Sequence, residues 1–443
     1  MNPPKIIRGC EHEPIVDPIP KECLERLNRH DIDRKKSETL GLHGKSGGFA
    51  PGNYIGMVWL GEGDNRVVLR VDSKFSTMDY IAMYMECMAD PLTSDQTAKC
   101  LYVWSDEKPI ETNGHDFSIL IIIAYLRELN KFCQRHMRRH FMRERQNFVG
   151  KMRGKILANE NLRRNIIHAR LDRIYCEYQS VSDDILENQI LRTALERASH
   201  FFNEYRGDKD VLDALPQWIR ASRAVLNGVS TKKVKPSDFT AARKHGAFAP
   251  YKHPLALAKL ILQKLGPNPH EKNSQTYTPP YAFNSWKLFE CYAEIKLSNK
   301  FKALKRGIKK DFLNAEDYME IEPDFYIKNM DEQKPRIIDA KYKDIHDSYF
   351  TGTKTVHVDK KKKPSRHDVY QVVAYSQHRG LLDEMKCKDK NSVELGLAYP
   401  YIGESDDPVI NKEPICVFMS PLTIYGIPCP AKKTTKKTGA NDK

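Results

Sequence analysis

The sequence lacks any segment suited to crossing a membrane. Its longest apolar run, from Ile119 to Ala124, is far shorter than the roughly 20 residues that a membrane-spanning helix needs. The first residues, MNPPKIIRGCEHEP, also lack the apolar core of an export signal. These absences predict a cytoplasmic protein that makes no membrane contact.

Cysteine patterns that hold metals or disulfides are missing as well. The ten cysteines are scattered along the chain, and no two of them form a CxxC pair. This spacing argues against a thiolate zinc site and against a disulfide framework, and it fits a reducing compartment. The sequence contains no internal repeats either.

A complete phosphate-binding loop is also absent. The string GLHGKSGG, from Gly41 to Gly48, contains Gly-Lys-Ser. However, Thr39 stands five residues before Gly44, where such a loop needs a glycine, and no strand pattern precedes it. We therefore expect no nucleotide site in this chain.

The chain does carry an excess of positive charge. It has 72 lysines and arginines against 58 aspartates and glutamates, a net charge of +14 and a pI near 9.1. Such an excess favours a polyanionic partner, most often a nucleic acid. The length of 443 residues predicts two or three domains.

Hydrophobic patterning predicts an N-terminal β-hairpin followed by helices. The strings YIGMVWL and RVVLRV flank the turn-forming GEGDN, which predicts two antiparallel strands between residues 54 and 71. An apolar stripe at helical spacing begins near Phe117. The C-terminal part of this helix is expected to carry Arg135, Arg138, Arg139 and Arg143. Further helices are predicted over residues 161–173, 183–198 and 254–265.

The segment from Ile321 to Asp344, IEPDFYIKNMDEQKPRIIDAKYKD, is the most informative for chemistry. Two β-rich runs, PDFYIK and RIIDAKY, flank a polar turn, which predicts an antiparallel hairpin. The midpoint between Asp324 and Asp339 falls within that turn. A symmetric hairpin therefore places the two carboxylates opposite each other, where like charges destabilise the pair. Such a pair needs a cation, and its oxygen ligands suit Mg²⁺, which takes one or two carboxylates from a protein.

Lys341 belongs to the same predicted cluster. Side chains alternate along a strand, so Asp339 and Lys341 share a face. A bound Mg²⁺ would activate water for attack on a phosphate, and Lys341 would orient that water or stabilise the developing charge. The competing interpretation is a surface hairpin in which Asp339 and Lys341 form only a solvated ion pair.

Two neighbouring helices favour the catalytic interpretation. In SWKLFECYAEIKL, Glu290 lies four residues after Trp286 and hence beside a ring predicted to be buried. A carboxylate in such a place usually has a partner. In RHDVYQVVAYSQHR, Asp368, Gln371 and Tyr375 lie on one helix face. Polar groups that share one stripe of a helix rich in valine and alanine indicate a site.

The order of these motifs resembles that of the PD-(D/E)xK nuclease superfamily. More narrowly, it resembles the McrC family, the nuclease subunits of modification-dependent McrBC restriction systems. The matching strings are WKLFE, PDF, IIDAKYK, DVYQVVAY and LAYPY, and upstream VGKMRGKI and YCEYQSVSDDILENQILRTAL. The resemblance extends from about Phe117 to Tyr401. It implies an α+β or α/β chain, whose N-terminal hairpin-containing and helical regions precede a restriction-endonuclease-like domain with a mixed central sheet flanked by helices.

The resemblance also implies roles for individual residues. Asp324, Asp339 and Lys341 would form the catalytic core, and Glu290 would join the two aspartates in binding Mg²⁺. Others would support the site or contact DNA: Gln371, Tyr375, Asp368, Lys343, Lys361 and Lys362. The basic run HVDKKKKPSRH would lie on the rim, where lysines contact phosphates without reading sequence. Its alternative interpretation is a solvated loop.

The implied function is that of a Mg²⁺-dependent endonuclease subunit that cuts modified double-stranded DNA. Its partner would be an AAA+ GTPase of McrB type, whose GTP hydrolysis it would stimulate. The N-terminal β region and the arginine-bearing helix would contact this partner. Arg153 is a candidate for stabilising phosphoryl transfer in trans, although it could instead form a loop-to-helix ion pair.

Two alternative functions remain open at this point. A stand-alone nuclease of the same superfamily, acting in DNA repair or mobile-element processing, would cut DNA without a GTPase. A non-catalytic assembly subunit would retain only the fold, and the intact Asp324, Asp339 and Lys341 argue against it.

The same reasoning predicts four regions along the chain. Residues 1–115 form a β-rich region with partner contacts, and residues 116–235 form a helical middle region. Residues 236–427 form the nuclease domain, and residues 428–443 form a basic, disordered tail.

Overall fold

The computed structural model describes residues 5–20, 23, 38–45, 48–61, 66–104, 107–112, 118–205, 212–263, 276–307, 322–329, 334–345, 363–387, 389, 392–402, 406–411, 415–417 and 420–432. The chain divides into two compact units. The first comprises Met1–Ile110, Asp210–Leu212 and Pro279–Lys443, and the second comprises Glu111–Lys209 and Asp213–Thr278.

A five-stranded sheet forms the N-terminal part of the first unit, in the order β1-β5-β4-β12-β6. Its strands are β1 (Ile6–Cys10), β4 (Tyr54–Leu60), β5 (Val67–Asp72), β6 (Leu101–Val103) and β12 (Tyr281–Asn284). The predicted hairpin is confirmed, because β4 and β5 pair antiparallel with Gly56 opposite Val71. Strand β12 pairs antiparallel with both β4 and β6. A strand from the second half of the chain therefore completes this sheet.

The first unit also contains several short elements between these strands in sequence. They are β2 (His43–Lys45), β3 (Gly48–Ala50), α1 (Tyr80–Ala89), α2 (Ser94–Thr97) and a 3₁₀ turn (Ala98–Cys100). Strands β2 and β3 form a hairpin in which Lys45 lies opposite Gly48. The described part of the Gly-Lys-Ser segment is thus a hairpin and not the strand–loop–helix of a phosphate-binding loop.

A second, mixed sheet forms the C-terminal part of the first unit, in the order β13-β14-β15-β16-β19-β17, with β18 on β19. Its strands are β13 (Leu304–Arg306), β14 (Phe325–Ile327), β15 (Arg336–Ala340), β16 (Glu394–Tyr401), β17 (Val409–Ile410), β18 (Ile415–Val417) and β19 (Ser420–Pro428). Strands β13, β14 and β15 run antiparallel, whereas β15, β16 and β19 run parallel.

Helices accompany this mixed sheet as predicted. They are α9 (Ser285–Lys300), α10 (Arg366–Ser376) and α11 (Arg379–Glu384). Val372 of α10 and Leu382 of α11 share one buried core with Ile337 of β15 and Leu395 of β16. The predicted fold class, a mixed sheet flanked by helices, is confirmed. Burial of this apolar surface stabilises the sheet that carries the predicted site.

Helices form most of the second unit. They are α3 (Ser118–Arg135), α4 (Ala158–Asn161) continued by a π-helical turn (Leu162–Ile166), α5 (Leu186–Glu204), α6 (Leu215–Val225), α7 (Pro236–Ala241) and α8 (Lys252–Gln263). The apolar stripe predicted for α3 is confirmed, since Ile119, Ile122 and Leu126 are fully buried. Two short strands, β7 (Ile110–Thr112) and β11 (Thr276–Thr278), pair with each other in a two-stranded sheet.

The second unit also contains a three-stranded antiparallel sheet that the sequence analysis missed. Its strands are β8 (His140–Val149), β9 (Lys155–Ile156) and β10 (Arg173–Ser182), in the order β8-β10-β9. The helix predicted over 161–173 is therefore wrong beyond Ile166. The preceding helix ends at Arg135, so the prediction that it carries the later arginines is wrong: Arg138 and Arg139 lie between the helix and β8, and Arg143 lies on β8.

The two compact units divide the chain differently from the predicted regions. Residues 236–263, predicted to open the nuclease domain, belong to the second unit, where Leu255 and Ala258 of α8 are buried. The predicted N-terminal region falls in the same unit as the mixed sheet. In the described part of the chain, no helix is both long and apolar enough to cross a membrane.

Candidate active site

The hairpin of β14 and β15 brings together the two aspartates predicted to be catalytic. Phe325 lies opposite Ile338, and the same register places Asp324 opposite Asp339. The Oδ2 atom of Asp324 accepts a hydrogen bond from the backbone N–H of Ala340 at 2.6 Å. The cross-strand arrangement that the midpoint of the turn predicts is thus confirmed, and the turn itself lies largely outside the described residues.

The electrostatics of this pair are those of two carboxylates in a poorly solvated place. Asp339 is 2% exposed, and Asp324 is half-buried. Burial raises the pKa of Asp324 well above its usual range, and the negative charges of Asp339 and Glu290 raise it further. Among the described residues, Asp339 Oδ2 accepts no hydrogen bond, although it lies in ion-pair contact with the Lys341 ammonium.

A chain of contacts holds Lys341 at the end of β15. Its backbone N–H donates to the carbonyl of Ala398 at 2.7 Å, which extends the pairing with β16. Its Nζ donates to Gln371 Oε1 at 2.8 Å, and Gln371 Nε2 donates to the Tyr375 hydroxyl at 2.6 Å. Burial, together with the charge of Asp339, raises the pKa of Tyr375 to about 12. The prediction that Gln371 and Tyr375 face the same site as Lys341 is confirmed in geometry.

Glu290 lies in the second turn of α9, close enough to the aspartates to affect their charge. The helix begins at Ser285, where the Asn284 side chain accepts a hydrogen bond from the Lys287 N–H at 3.0 Å. Burial, with Asp339 as a smaller contribution, raises the pKa of Glu290 to about 7 against the opposing charge of Arg306.

The expectation of a buried ring beside Glu290 is wrong. Trp286 is 38% exposed. Residues other than Trp286 therefore bury Glu290. Spacing along a helix shows which residues share a face, but not which of those faces is covered.

Asp368 and Lys343 pair with each other and not with the aspartates. Lys343 Nζ lies 2.7 and 2.8 Å from the two carboxylate oxygens of Asp368, which is 2% exposed. Burial opposes the charge on Asp368, yet hydrogen bonds from Lys343 and Ser365 lower its pKa overall. The side chain of Lys343 is 52% exposed and so presents a cation at the edge of the site.

The two aspartates fit a small oxygen-seeking cation. Mg²⁺ takes one or two carboxylates from a protein and keeps several waters. Asp324 and Asp339 supply two, although Asp339 Oδ2, which accepts no hydrogen bond among the described residues, also contacts the Lys341 ammonium. Among the described residues, no group of three or more histidine, cysteine, aspartate or glutamate side chains is arranged around one metal position. The role of Glu290 as a third ligand stays a prediction.

Of three other predicted residues, two lie outside the described residues and one belongs to the second unit. Lys361 and Lys362 lie outside the described residues, together with most of the basic run that contains them. Arg153 belongs to the second unit, where its guanidinium lies 4.3 Å from the ring centre of Tyr178. Arg153 thus makes a cation–π contact, and its role in phosphoryl transfer stays a prediction.

Sequence reasoning missed a set of N-terminal residues that contact the site. Lys74 Nζ donates to the backbone carbonyl of Tyr342 at 2.6 Å, directly beside Lys341. Glu11 is 1% exposed and accepts a hydrogen bond from Ser285, the first residue of α9. No local signal reveals such contacts, because the partners lie hundreds of residues apart.

Comparison with known proteins gives a family match and structural matches of low sequence identity. The family described as McrBC 5-methylcytosine restriction system component matches residues 50–382, about three quarters of the chain. Among solved structures, a chain from the assembly of Thermococcus gammatolerans McrB AAA+ hexamers with bound McrC aligns over 95% of this chain and 94% of its own length, at 15% identity and a TM-score of 0.42.

A second solved structure, the McrBC complex of Thermococcus gammatolerans, contains a chain that aligns over 67% of this chain and 89% of its own length. Its identity is 17% and its TM-score 0.32. The curated proteins compared with this chain gave no match.

Proposed function

This chain belongs to the family of McrBC 5-methylcytosine restriction system components, and from that membership we propose that it is the nuclease subunit of such a system. The observation that carries the proposal is the Asp324–Asp339 pair with Lys341 in ion-pair contact. Two facing carboxylates destabilise a hairpin unless a cation lies between them. The substrate is double-stranded DNA that carries a modified base of the methylcytosine type.

The side chains of this site have different roles in phosphodiester hydrolysis. Asp324 and Asp339 would hold Mg²⁺, with Glu290 beside them. Such an ion would supply a positive charge to polarise a phosphoryl oxygen and to lower the pKa of an attacking water. Lys341, fixed by Asp339 and Gln371, places its ammonium where negative charge develops on the phosphate.

Positive charge outside this cluster serves DNA binding. Lys343 presents a half-exposed ammonium beside the site, and Asp368 fixes its position. Lys361 and Lys362 add phosphate contacts in this proposal. Such contacts position the duplex but carry no sequence information, so the choice of DNA site belongs to the partner.

The partner in this proposal is an AAA+ GTPase of McrB type, and we place its contact on the three-stranded sheet of the second unit and the turns beside it. Large apolar side chains are exposed there: Phe141 at 65%, Val149 at 59%, Met152 at 60%, Leu171 at 78% and Val181 at 54%. Exposed apolar surface of this kind marks protein interaction sites. This placement differs from the earlier expectation of contacts through the N-terminal β region and the arginine-bearing helix. The system acts in the cytoplasm.

Plasmid transformation of the native host tests this function, because the host supplies the partner and GTP. We expect a cytosine-methylated plasmid to be restricted by wild type and not by Asp339→Ala. Loss of one metal-binding carboxylate should slow cleavage by about 10³-fold or more. The matched control is Asp383→Ala, an exposed aspartate of α11 in the same unit.

The outcomes separate the candidate functions. Restriction that requires Asp339 and methylation supports the proposal. Cutting of unmodified DNA by the purified chain with Mg²⁺ and no GTPase would support a stand-alone nuclease instead. Unchanged restriction by Asp339→Ala would remove the catalytic assignment altogether.

A further inference from the structure

A buried polar network in the first unit links the N-terminal sheet to both elements that carry the catalytic residues. At its centre is Glu11, which directly follows β1 and is 1% exposed. One carboxylate oxygen of Glu11 accepts a hydrogen bond from Ser285 Oγ, at the start of α9. The other accepts from the backbone N–H of Lys74 at 3.2 Å.

The same network encloses Tyr342, the residue between Lys341 and Lys343. Its side chain is 4% exposed. The Tyr342 hydroxyl lies 2.5 Å from that of Tyr80 and donates to Glu11 Oε2 at 3.5 Å. Lys74 Nζ donates to the Tyr342 carbonyl at 2.6 Å and lies 4.1 Å from the centre of its ring.

The position of Tyr342 determines where its two neighbours point. Strand β15 ends at Ala340, and the Lys343 N–H donates to the Lys341 carbonyl at 2.8 Å, so the backbone forms a tight turn centred on Tyr342. A Tyr342 ring fixed in the core therefore sets the positions of Lys341 and Lys343 at the two ends of this turn. Lys341 there meets Asp339 and Gln371, and Lys343 meets Asp368. Glu11 contacts Ser285 on α9, the helix that also carries Glu290.

Stability alone is a poor explanation for this arrangement. Removing a carboxylate and an ammonium from water costs several kcal/mol for each ion, and apolar side chains of the same volume often stabilise a core better. Burial raises the pKa of Glu11, and it lowers the pKa of Lys74 to about 8 despite the nearby Glu11 charge. A charged network that opposes its own burial is better suited to fixing one geometry.

We propose that Glu11 and Lys74 are positioning residues for the nuclease reaction, which hold Tyr342 and α9 so that Lys341 and Glu290 meet the two aspartates. The N-terminal sheet is in this view a structural part of the nuclease centre. The expected loss of cleavage rests on the proposed nuclease function. The expected loosening of Tyr342 and α9 rests only on the contacts of Glu11 and Lys74.

Two substitutions test the network in the full chain. Glu11→Gln keeps the volume but replaces one accepting oxygen with an NH₂ group, and Lys74→Met removes the donor to the Tyr342 carbonyl. Their matched controls are Glu13→Gln and Lys99→Met, both at exposed positions of the same unit. With the GTPase partner and GTP present, we expect single-turnover cleavage at saturating methylated DNA to fall by about 10–100-fold in the two network variants, since small misplacements of catalytic groups have effects of this size. The DNA dissociation constant should stay within about twofold, because no phosphate contact is lost.

A second measurement does not depend on cleavage. The backbone N–H of Lys341 donates to Ala398, and that of Lys343 donates to the Lys341 carbonyl at 2.8 Å. Amide hydrogen exchange in the peptide covering residues 336–345 should accelerate in both network variants and stay unchanged in both controls. A wild-type chain that does not cut methylated DNA in the presence of Mg²⁺, the GTPase partner and GTP, combined with this exchange pattern, would refute the proposed function and leave the structural link intact.

Tyr80→Phe provides a milder variant in case a charge substitution prevents folding. It removes one hydroxyl that contacts Tyr342 and keeps the ring in the core. We expect a smaller loss of cleavage, of about threefold to tenfold, and Lys74→Arg should restore part of what Lys74→Met loses. Wild-type cleavage rates and wild-type exchange in Glu11→Gln and Lys74→Met would overturn the proposal.

Discussion

Asp324 occupies a place that is unfavourable for a charged carboxylate in the absence of a metal. It faces Asp339, it is half-buried, and its pKa is raised by burial and by two neighbouring negative charges. Its hydrogen bond from Ala340 only partly offsets these effects. Local stability is thus lowered where function requires two acids side by side, as is common at catalytic sites.

This cost predicts that Asp324→Asn stabilises the metal-free chain. Asparagine keeps an oxygen for the Ala340 N–H and removes the charge. A carboxyl whose folded pKa is raised binds more protons in the folded state, so wild-type stability falls as pH rises from about 3.9 through the raised value. In chelator near pH 7, we expect the variant to be more stable by at least about 1 kcal/mol, with little difference near pH 3.

Urea unfolding in chelator and in Mg²⁺ provides the measurement, with Asp383→Asn as the exposed control. Mg²⁺ should raise the urea midpoint of wild type more than that of Asp324→Asn, because the variant has lost one ligand. A wild type that is more stable than the variant in chelator at pH 7 would contradict the electrostatic picture of this pair.

The arrangement of hairpin β14–β15 can be predicted from the sequence, whereas the polar network of Glu11, Lys74 and Tyr342 cannot. The opposition of Asp324 and Asp339 follows from short-range symmetry about one turn, which a sequence displays directly. The pairing of Lys343 with Asp368 depends on how α10 packs against the sheet. The contact of Lys74 with Tyr342 joins residues 268 positions apart, and no periodicity records it.

Among the elements, the three-stranded sheet of the second unit departs most from expectation. Strands β8 and β10 lack the alternation of apolar and polar residues that marks a half-buried strand. Polar cross-strand contacts join them: Arg145 Nε lies 2.9 Å from Glu177, and the Tyr178 hydroxyl donates to Glu144 at 2.6 Å. Apolar periodicity therefore predicts α3 but does not predict this sheet.

Two glycines beside this sheet allow a matched prediction. Gly154 has a φ of +72°, and a Cβ there would lie 2.3 Å from the carbonyl oxygen of Glu177. Gly150 has a φ of +65° and nothing within 4 Å of such a Cβ. Gly150→Ala should cost about 1 kcal/mol, the usual cost of a left-handed alanine. Gly154→Ala should cost about 2–4 kcal/mol of local stability, because the backbone must also move.

Hydrogen exchange in residues 173–182 measures this difference. Gly154→Ala should accelerate exchange there, and it should also weaken binding of the GTPase partner if this sheet is the contact surface. Equal exchange in the two variants would show that the close approach to Glu177 does not constrain the sheet.

On the scale of the whole molecule, the net charge of +14 predicts salt-sensitive DNA binding. Each phosphate that a cation neutralises releases counterions, so affinity falls with a slope that reports the number of contacts. Raising salt from 50 to 200 mM should weaken binding at least about tenfold, since even two phosphate contacts produce that change. Fluorescence anisotropy with duplex DNA in chelator measures it without cleavage, and a flat salt response would show that this charge serves another purpose.

The route of the chain through the five-stranded sheet also has a consequence for biosynthesis. Strand β12 lies between β4 and β6, yet it follows the whole segment from Glu111 to Thr278. At about 5–20 residues per second, the ribosome needs roughly 9–36 s to pass from β6 to β12. During that interval β4 and β6 each expose an unpaired edge, which is a template for wrong pairing. A nascent chain of this protein thus carries an open N-terminal sheet until the residues that close it have been translated.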